Sequence, residues 1–336
     1  MLRSLARAAA LAAFAVAAQA QEEIDPAVVY DLGGKFDRSF NEAAYRGAEA
    51  FREETGVEYR DFEIQNDAQR EQALRRFARQ GHDPIIAIGF SHGSALEKVA
   101  PDFPETRFAI VDSVVDEPNV RSILFQEHEG SYLAGVMAAM AAKARGGEDA
   151  AVGFVGGMDI PLIRKFACGY AAGAKSVDPE IEVFQNMTGN TGAAWNDPAK
   201  GAELTRSQIE RGAEVIYHAA GGTGVGVLQA AADAGKLGVG VDSNQNMLQP
   251  GSVLTSMVKA VDVAVQDAFH DAMRGEWTAG VETLGLAEGG VGVAMDEHNE
   301  DLVTEEMAQA VEQAEAGIVS GEITVHDYMS DQSCPY

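Results

Sequence analysis

The chain has 336 residues, with 25 Lys and Arg against 52 Asp and Glu, for a formal net charge of −27. A hydrophobic fraction of 46% with 36 glycines excludes disorder throughout, and at roughly 100–200 residues per domain the length suggests about two domains. So large a cation deficit repels phosphate backbones and anionic headgroups, which excludes nucleic acid and a membrane surface as main partners.

Arg3 and Arg7 precede an apolar run from Ala8 to Ala18, and Ala18-Gln19-Ala20 follows. The run is too short to cross a bilayer and ends in small residues. Residues 1–20 therefore read as a cleavable export signal rather than an amphipathic N-terminal helix. No cysteine lies near the cleavage point, so the expected product is a soluble protein without a lipid anchor, most simply in a bacterial periplasm.

From residue 27 onward, short β-branched runs alternate with longer helical patterns, the signature of parallel sheets with crossover helices. Strands are predicted at Val28–Leu32, Ile85–Ile88, Phe108–Val111 and Ser122–Phe125, with helices over Asn41–Glu54 and Gln69–Gln80. After an Ala/Met-rich helix near Tyr132–Lys143, the rhythm restarts with Val152–Val155, Ile181–Phe184, Val215–His218 and Gly238–Val241. The piece after Gly251, a strand Val253–Met257 and a helix Val261–Met273, is expected to return to the first lobe. An acidic helix near Thr304–Ala316 and a strand Ile323–Tyr328 are expected to complete the second. The predicted division is residues 24–130 plus 251–280 for the first α/β lobe and 131–250 plus 281–336 for the second. The ligand cleft then lies between them, outside the carboxyl ends of the strands.

Cys168 and Cys334 are the two cysteines of the sequence, and in an oxidising compartment such a pair invites a disulfide. Cys168 also sits in an apolar helical pattern that would suit a buried free thiol.

Several strings could carry chemistry. Gly89-Phe90-Ser91-His92-Gly93 matches G-x-S-x-G between a strand and a helix, and a secreted serine hydrolase would use Ser91 with Asp242 and His270 or His298. No HGGG-type oxyanion loop precedes it, and the two-lobed rhythm is not a single hydrolase sheet, so a glycine-rich turn lining the cleft is the preferred reading. Gly221-Gly222-Thr223-Gly224-Val225-Gly226 fits neither a dinucleotide fingerprint nor a P-loop, leaving a close approach to a small ligand or simple helix capping. Glu127-His128-Glu129 lacks the spacing of a metal site and reads as a solvated helix start, while Asp31 and Asp37 are too few for an aspartate-rich calcium cluster. No cofactor or metal is expected.

The string from Asp31 through Glu42 is more informative. Two glycines turn the chain after a strand, and Ser39, Phe40 and Asn41 stand where a helix begins. A hydroxyl, a ring and a carboxamide at one helix N-terminus suit a flat heteroaromatic ligand, although Phe40 alone would equally serve as a hydrophobic staple or core residue.

These residues, with Val111-Asp112-Ser113, Gly153 through Met158, Phe166, Gly169-Tyr170, Trp195-Asn196-Asp197-Pro198, Ala219 through Gly224, Gly240 through Gln245 and Ser256 through Lys259, resemble the basic membrane protein family of substrate-binding proteins. Its best-known members are purine nucleoside receptors of ABC importers. The resemblance runs from about Val28 to Val325. It implies a type I periplasmic-binding-protein fold, two doubly wound α/β lobes joined by a multi-strand hinge.

By the same resemblance, Phe40 and Phe166 would stack on a purine, each adding about 0.5–1.5 kcal/mol beyond area burial. Asn41 and Asp112 would hold the base edges, with the segment at Phe90 bordering the base. Gly222, Asp242 and Lys259 would hold the ribose, Asp242 and Lys259 neutralising each other. Asp31, Ser39 and Trp195 complete the expected site. The implied protein is a monomeric, non-enzymatic receptor whose partner is an ABC permease in the inner membrane. A free purine base, riboflavin or another planar heterocycle is the alternative ligand, and a membrane sensor the alternative partner.

Overall fold

The computed structural model describes residues 22–336, so the expected signal at residues 1–20 lies outside the described residues. The chain begins with β1 (Ala27–Tyr30), α1 (Phe40–Thr55), β2 (Arg60–Glu63), α2 (Gln69–Gln80), β3 (Ile85–Ala87), α3 (Gly93–Val99), β4 (Phe108–Val111) and β5 (Val120–Phe125). It continues through α4 (Glu127–Gly146), β6 (Ala151–Met158), α5 (Pro161–Val177), β7 (Glu182–Gly189), α6 (Pro198–Glu210), β8 (Ala213–Ala219), α7 (Gly224–Asp233) and β9 (Leu237–Asp242). The last elements are β10 (Val253–Lys259), α8 (Val261–Arg274), β11 (Gly280–Leu284), β12 (Val291–Val293) and α9 (Glu305–Ser320).

The strands form two sheets of matching order, β11-β5-β4-β3-β1-β2 and β12-β10-β9-β8-β6-β7. All ladders are parallel except β10 with β12. Central strands such as β1, β3 and β4 are buried along their whole length, as a sheet covered on both faces requires, and this is why they read as continuous apolar runs.

Three expectations are corrected. The strand expected in the first lobe at Val253–Met257 belongs to the second sheet, where Thr255 to Val258 pair with Val239 to Asp242. The crossing back follows Lys259, and β11, placed by the sequence mostly in the second lobe, extends the first sheet by pairing Gly280 to Leu284 with Arg121 to Phe125. An apolar run signals a buried strand; its hydrogen-bonding partner is a long-range choice that local pattern does not carry. No strand forms at Ile323–Tyr328: the segment pairs with no sheet and leads into a short turn at Tyr328–Ser330, with Val325 buried in the core.

Local chemistry explains the helices nearest the cleft. The Asp37 carboxylate accepts from the backbone amides of Ser39 (2.8 Å), Asn41 (3.0 Å) and Glu42 (3.1 Å), satisfying donors at the start of α1 that no turn of helix precedes. Helix α5 begins with Pro161 in its first turn, where a missing amide costs nothing. Helices α4 and α5 pack backbone to backbone, since a Cβ on Gly135 would collide with the Tyr170 carbonyl and one on Gly173 with that of Tyr132.

Cys168, buried in α5, is bonded to Cys334 with a Cα–Cα separation of 5.7 Å, tying the C-terminal tail to that helix. Replacing both cysteines with Ala is expected to lower stability by about 2–5 kcal/mol. Urea denaturation with and without dithiothreitol measures it, and coincident curves for wild type and variant would show that the bridge contributes nothing.

Candidate functional site

Asp31, Asp112, Asp242 and Lys259, at the carboxyl ends of strands in both sheets, line one space, and the chain passes between lobes at 125–127, 259–261 and 284–291. A cleft lined from both lobes lies there, about 570 Å³ when the open solvent at its mouth is counted. Of the residues expected at the site, Asp31, Phe40, Asn41, Phe90, Asp112, Phe166, Trp195, Asp242 and Lys259 line it. Ser39 and Gly222 do not. Ser39 is fully buried behind Asp242, and Gly222 lies against Trp195 and Asn196, with Gly221 taking its place in the lining.

Phe40 opens α1 in the first lobe, and Phe166 sits in α5 of the second. The Lys259 ammonium lies 5.1 Å from the Phe40 ring centroid, 5.7 Å from that of Phe166 and 4.9 Å from that of Phe125. One cation at the floor of the cleft is thus surrounded by three rings, an arrangement favoured by their negative faces. Trp195 borders the same space. Its indole fills the room that a Cβ on Gly157 would need, and its Cβ approaches Gly33 of the first lobe.

Lys259 is not a surface lysine, nor does it pair with Asp242. Its Nζ donates to both carboxylate oxygens of Asp112, at 2.6 and 2.8 Å, and lies 2.9 Å from Glu127 Oε1. The Lys259 and Glu127 side chains are each 1% exposed. Burial pulls the ammonium toward the neutral form, but Asp112, Glu127 and Asp242 outweigh it and hold Lys259 above its ordinary value. Burial pushes Asp112 up to about 6, Lys259 opposing and Glu127 reinforcing the shift. Burial also acts to raise Glu127, yet Lys259 and Lys165 together bring it down to about 2. The Glu127-His128-Glu129 start of α4 is therefore no solvated face: Glu127 and His128 are both buried.

Asp242 accepts from Ser39 Oγ at 2.6 Å, a bond between lobes, and burial raises its carboxyl above the usual range. Nearby, Ser243 Oγ donates to the Ser39 carbonyl (2.7 Å) and Gln245 Nε2 to the Arg38 carbonyl (2.9 Å). The lobes are thus drawn together at the start of α1. Asp112 and Asp242 close the corresponding strands β4 and β9, and both hold left-handed backbone, φ 69° and 61°. That conformation is sparsely populated for a side-chain-bearing residue and is best tolerated by Asn and Asp.

Asn41 is largely committed to the fold. Its Oδ1 accepts from the Asp31 amide (3.0 Å), and its Nδ2 faces Asp37 Oδ2 at 3.3 Å. Asp31 receives Arg70 Nη1 at 2.6 Å in a buried ion pair. Sequence reasoning passed over Arg70, Asp37 as a helix cap, Glu127, and Leu162 and Ile163 in the lining. The signal for Asp37 was present, an acid just before a helix start; Arg70 and Glu127 look like any charged helical residue.

A hydrolytic triad is not assembled. Ser91 faces a surface depression with Asp67, Arg70, Ser94 and Lys98, while His270 pairs with Glu54 at 3.2 Å and His298 stands 3.9 Å from Glu297.

Lys259→Met would leave two buried carboxylates facing each other without their shared cation, at a cost of about 3–5 kcal/mol. Asp112 would then titrate further above its unfolded value, so the deficit is present at neutral pH and shrinks as pH falls and it takes a proton. Denaturation midpoints across pH measure this, and a constant deficit would contradict the shared-cation arrangement.

A family model described as ABC transporter substrate-binding protein, PnrA-like (Bmp), matches residues 24–328. An ABC transporter nucleoside-binding protein BmpA from Lactococcus lactis is 34% identical over 326 residues, covering 90% of this chain and 89% of its own. An uncharacterised lipoprotein of Pyrococcus furiosus is 35% identical over 284 residues, covering 81% of this chain and 70% of its own. Its description as a lipoprotein runs against the unlipidated form expected from the sequence. The crystal structure of an ABC transporter solute-binding protein from Aeropyrum pernix superposes with a TM-score of 0.83 at 32% identity, covering 90% of this chain and 93% of the other. Proteins of this kind bind and deliver small molecules outside the cytoplasmic membrane and are not enzymes, and no helix among the described residues is long and apolar enough to cross a membrane. With this two-lobed fold, a cleft lined from both sides and a match over nearly the whole described chain, the protein belongs to the Bmp family of PnrA-like ABC transporter substrate-binding proteins.

Proposed function

We propose that the protein is the receptor of an ABC importer for a purine nucleoside, captured between the lobes and presented to an inner-membrane permease in the closed form. The observation that carries this reading is the pairing of Phe40 and Phe166, from opposite lobes, around one cleft whose floor is charged. A flat heterocycle between the rings gains offset stacking on both faces. The relative from Lactococcus lactis, described as nucleoside-binding, supports the same ligand class.

In this reading Asp112 accepts from the base edge, while Asp242 and Lys259 address the ribose, Asp242 as a charged acceptor for vicinal hydroxyls. Asn41 acts mainly by holding the turn that carries Phe40, because the Asp31 amide already occupies its oxygen. Since each lobe supplies part of the site, ligand binding favours closure, and a closed-state-specific permease contact would follow from that difference. The protein acts as a monomer, its cleft complete within one chain.

A thermal-shift panel of nucleosides, free purine bases and flavins on ligand-stripped protein tests the reading. Purine nucleosides are expected to raise the melting temperature most. Phe40→Ala and Asp242→Asn, the latter keeping a residue that tolerates left-handed backbone, should each remove most of the nucleoside shift while leaving the ligand-free melting temperature within a few degrees, the range of about 1 kcal/mol. A shift given by riboflavin or a free base but by no nucleoside would overturn the ribose assignment.

A further inference from the structure

The Lys259 floor of the cleft is held from behind by a residue that has no access to the cleft. Glu127, the first residue of α4, stands where the chain crosses from the first lobe to the second and does not line the cavity. Its two oxygens are divided between two lysines: Oε1 is 2.9 Å from Lys259 Nζ and Oε2 is 2.9 Å from Lys165 Nζ. Lys165 is the neighbour of Phe166 in α5 and also donates to the Phe125 carbonyl at 2.7 Å, the last residue of β5. One carboxylate therefore ties the cation at the cleft floor, the helix that presents a cleft aromatic and the hinge crossing to one another.

We infer that Glu127 is a positioning residue for ligand binding, holding Lys259 and the Phe166 helix in register across the hinge. The inference rests on the proposed roles of Lys259 and Phe166. Without Glu127, Lys259 has only Asp112 to orient it, and its ammonium is free to follow Asp112 when the first lobe swings away. With Glu127, the lysine stays at the crossing in the open and closed forms, and the ligand meets a floor already in place.

The titratable groups around Glu127 are Lys165 from α5, Lys259 from β10, Asp112 beyond β4, Asp242 from β9, Tyr217 from β8 and His128 on its own helix, with Asp327 of the tail 4.0 Å from Lys165. Burial, reinforced by Lys165, holds His128 at about 4, so it is neutral near pH 6, where Asp112 titrates. Glu127 acts on Asp112 as a like charge, helping to raise it to about 6. Removing that charge lowers the Asp112 value, so the acid limb of any binding that needs ionised Asp112 moves to lower pH. That limb reports the charge of Glu127, while affinity at neutral pH reports its hold on Lys259.

The test compares wild type with Glu127→Gln, Glu127→Asp and the charge-balanced double variant Glu127→Gln/Lys165→Met. Inosine and adenosine affinities are measured between about pH 4 and about pH 8, together with the Asp112 carboxyl titration by carbon NMR in ligand-free protein. In the Gln variants the expected result is affinity at neutral pH weakened about ten-fold or more, as for loss of a charged hydrogen bond, with partial recovery in Glu127→Asp. The Asp112 titration and the acid limb should both move down by about one pH unit. If Glu127→Gln does not fold, the double variant, which strands no buried charge at that site, carries the test. A folded double variant with wild-type affinity overturns the inference, whatever its Asp112 titration. Wild type that binds neither nucleoside sinks the ligand assignment instead, and the same variants are then titrated with free purine bases and riboflavin, where affinity unchanged from wild type overturns the role of Glu127.

Discussion

The buried ammonium of Lys259 is the constraint around which this cleft is built. An unpaired cation at 1% exposure would be prohibitive, so the fold surrounds it with two carboxylates and three aromatic faces. Those partners come from the loop beyond β4, the start of α4, the start of α1, the end of β5 and the middle of α5. Neutralising one charge thus brings both lobes and a hinge crossing to a single point, and the groups a ligand would meet are left around it.

The two sheets share one strand order, and the site uses corresponding positions in each. Asp112 and Asp242 both follow apolar strands and both turn the chain in left-handed backbone. They are used differently. Asp112 is neutralised by Lys259 within hydrogen-bonding distance, whereas among the described residues the Asp242 carboxylate accepts from the Ser39 hydroxyl of the opposite lobe alone. An incompletely satisfied buried carboxylate is costly in the protein alone, and donors from a bound molecule relieve that cost. The same Ser39 to Asp242 bond belongs to a small set of contacts between lobes at the start of α1, so closure and ligand capture draw on the same residues.

Much of this architecture was legible in the residues. Alternation of β-branched runs with amphipathic helices announced two doubly wound lobes, and the strand ends carrying Asp31, Asp112 and Asp242 were readable as a cleft because parallel sheets place their loops there. The resemblance carried by Asp31 through Glu42 and by later strings drew Phe40 and Phe166 into one site although they lie in different lobes. The failures share one cause. Whether Val253–Met257 joins one sheet or the other, whether Glu127 is solvated, and which acid meets Lys259 are questions of partners far apart along the chain. Local pattern is silent on them.

The sequence by itself determined the fold class, because hydrophobic period and turn chemistry are local properties, and its motif strings carried the resemblance that pointed to the family and to many, not all, of the residues that border the cleft. Only the tertiary structure decided that Lys259 belongs to Asp112 and Glu127 rather than to Asp242, that Asn41 is spent on its own turn, and that Arg70 is buried against Asp31. A charge reveals its partner only once the chain has closed around it, since ion pairing depends on distance and burial and on neither period nor composition.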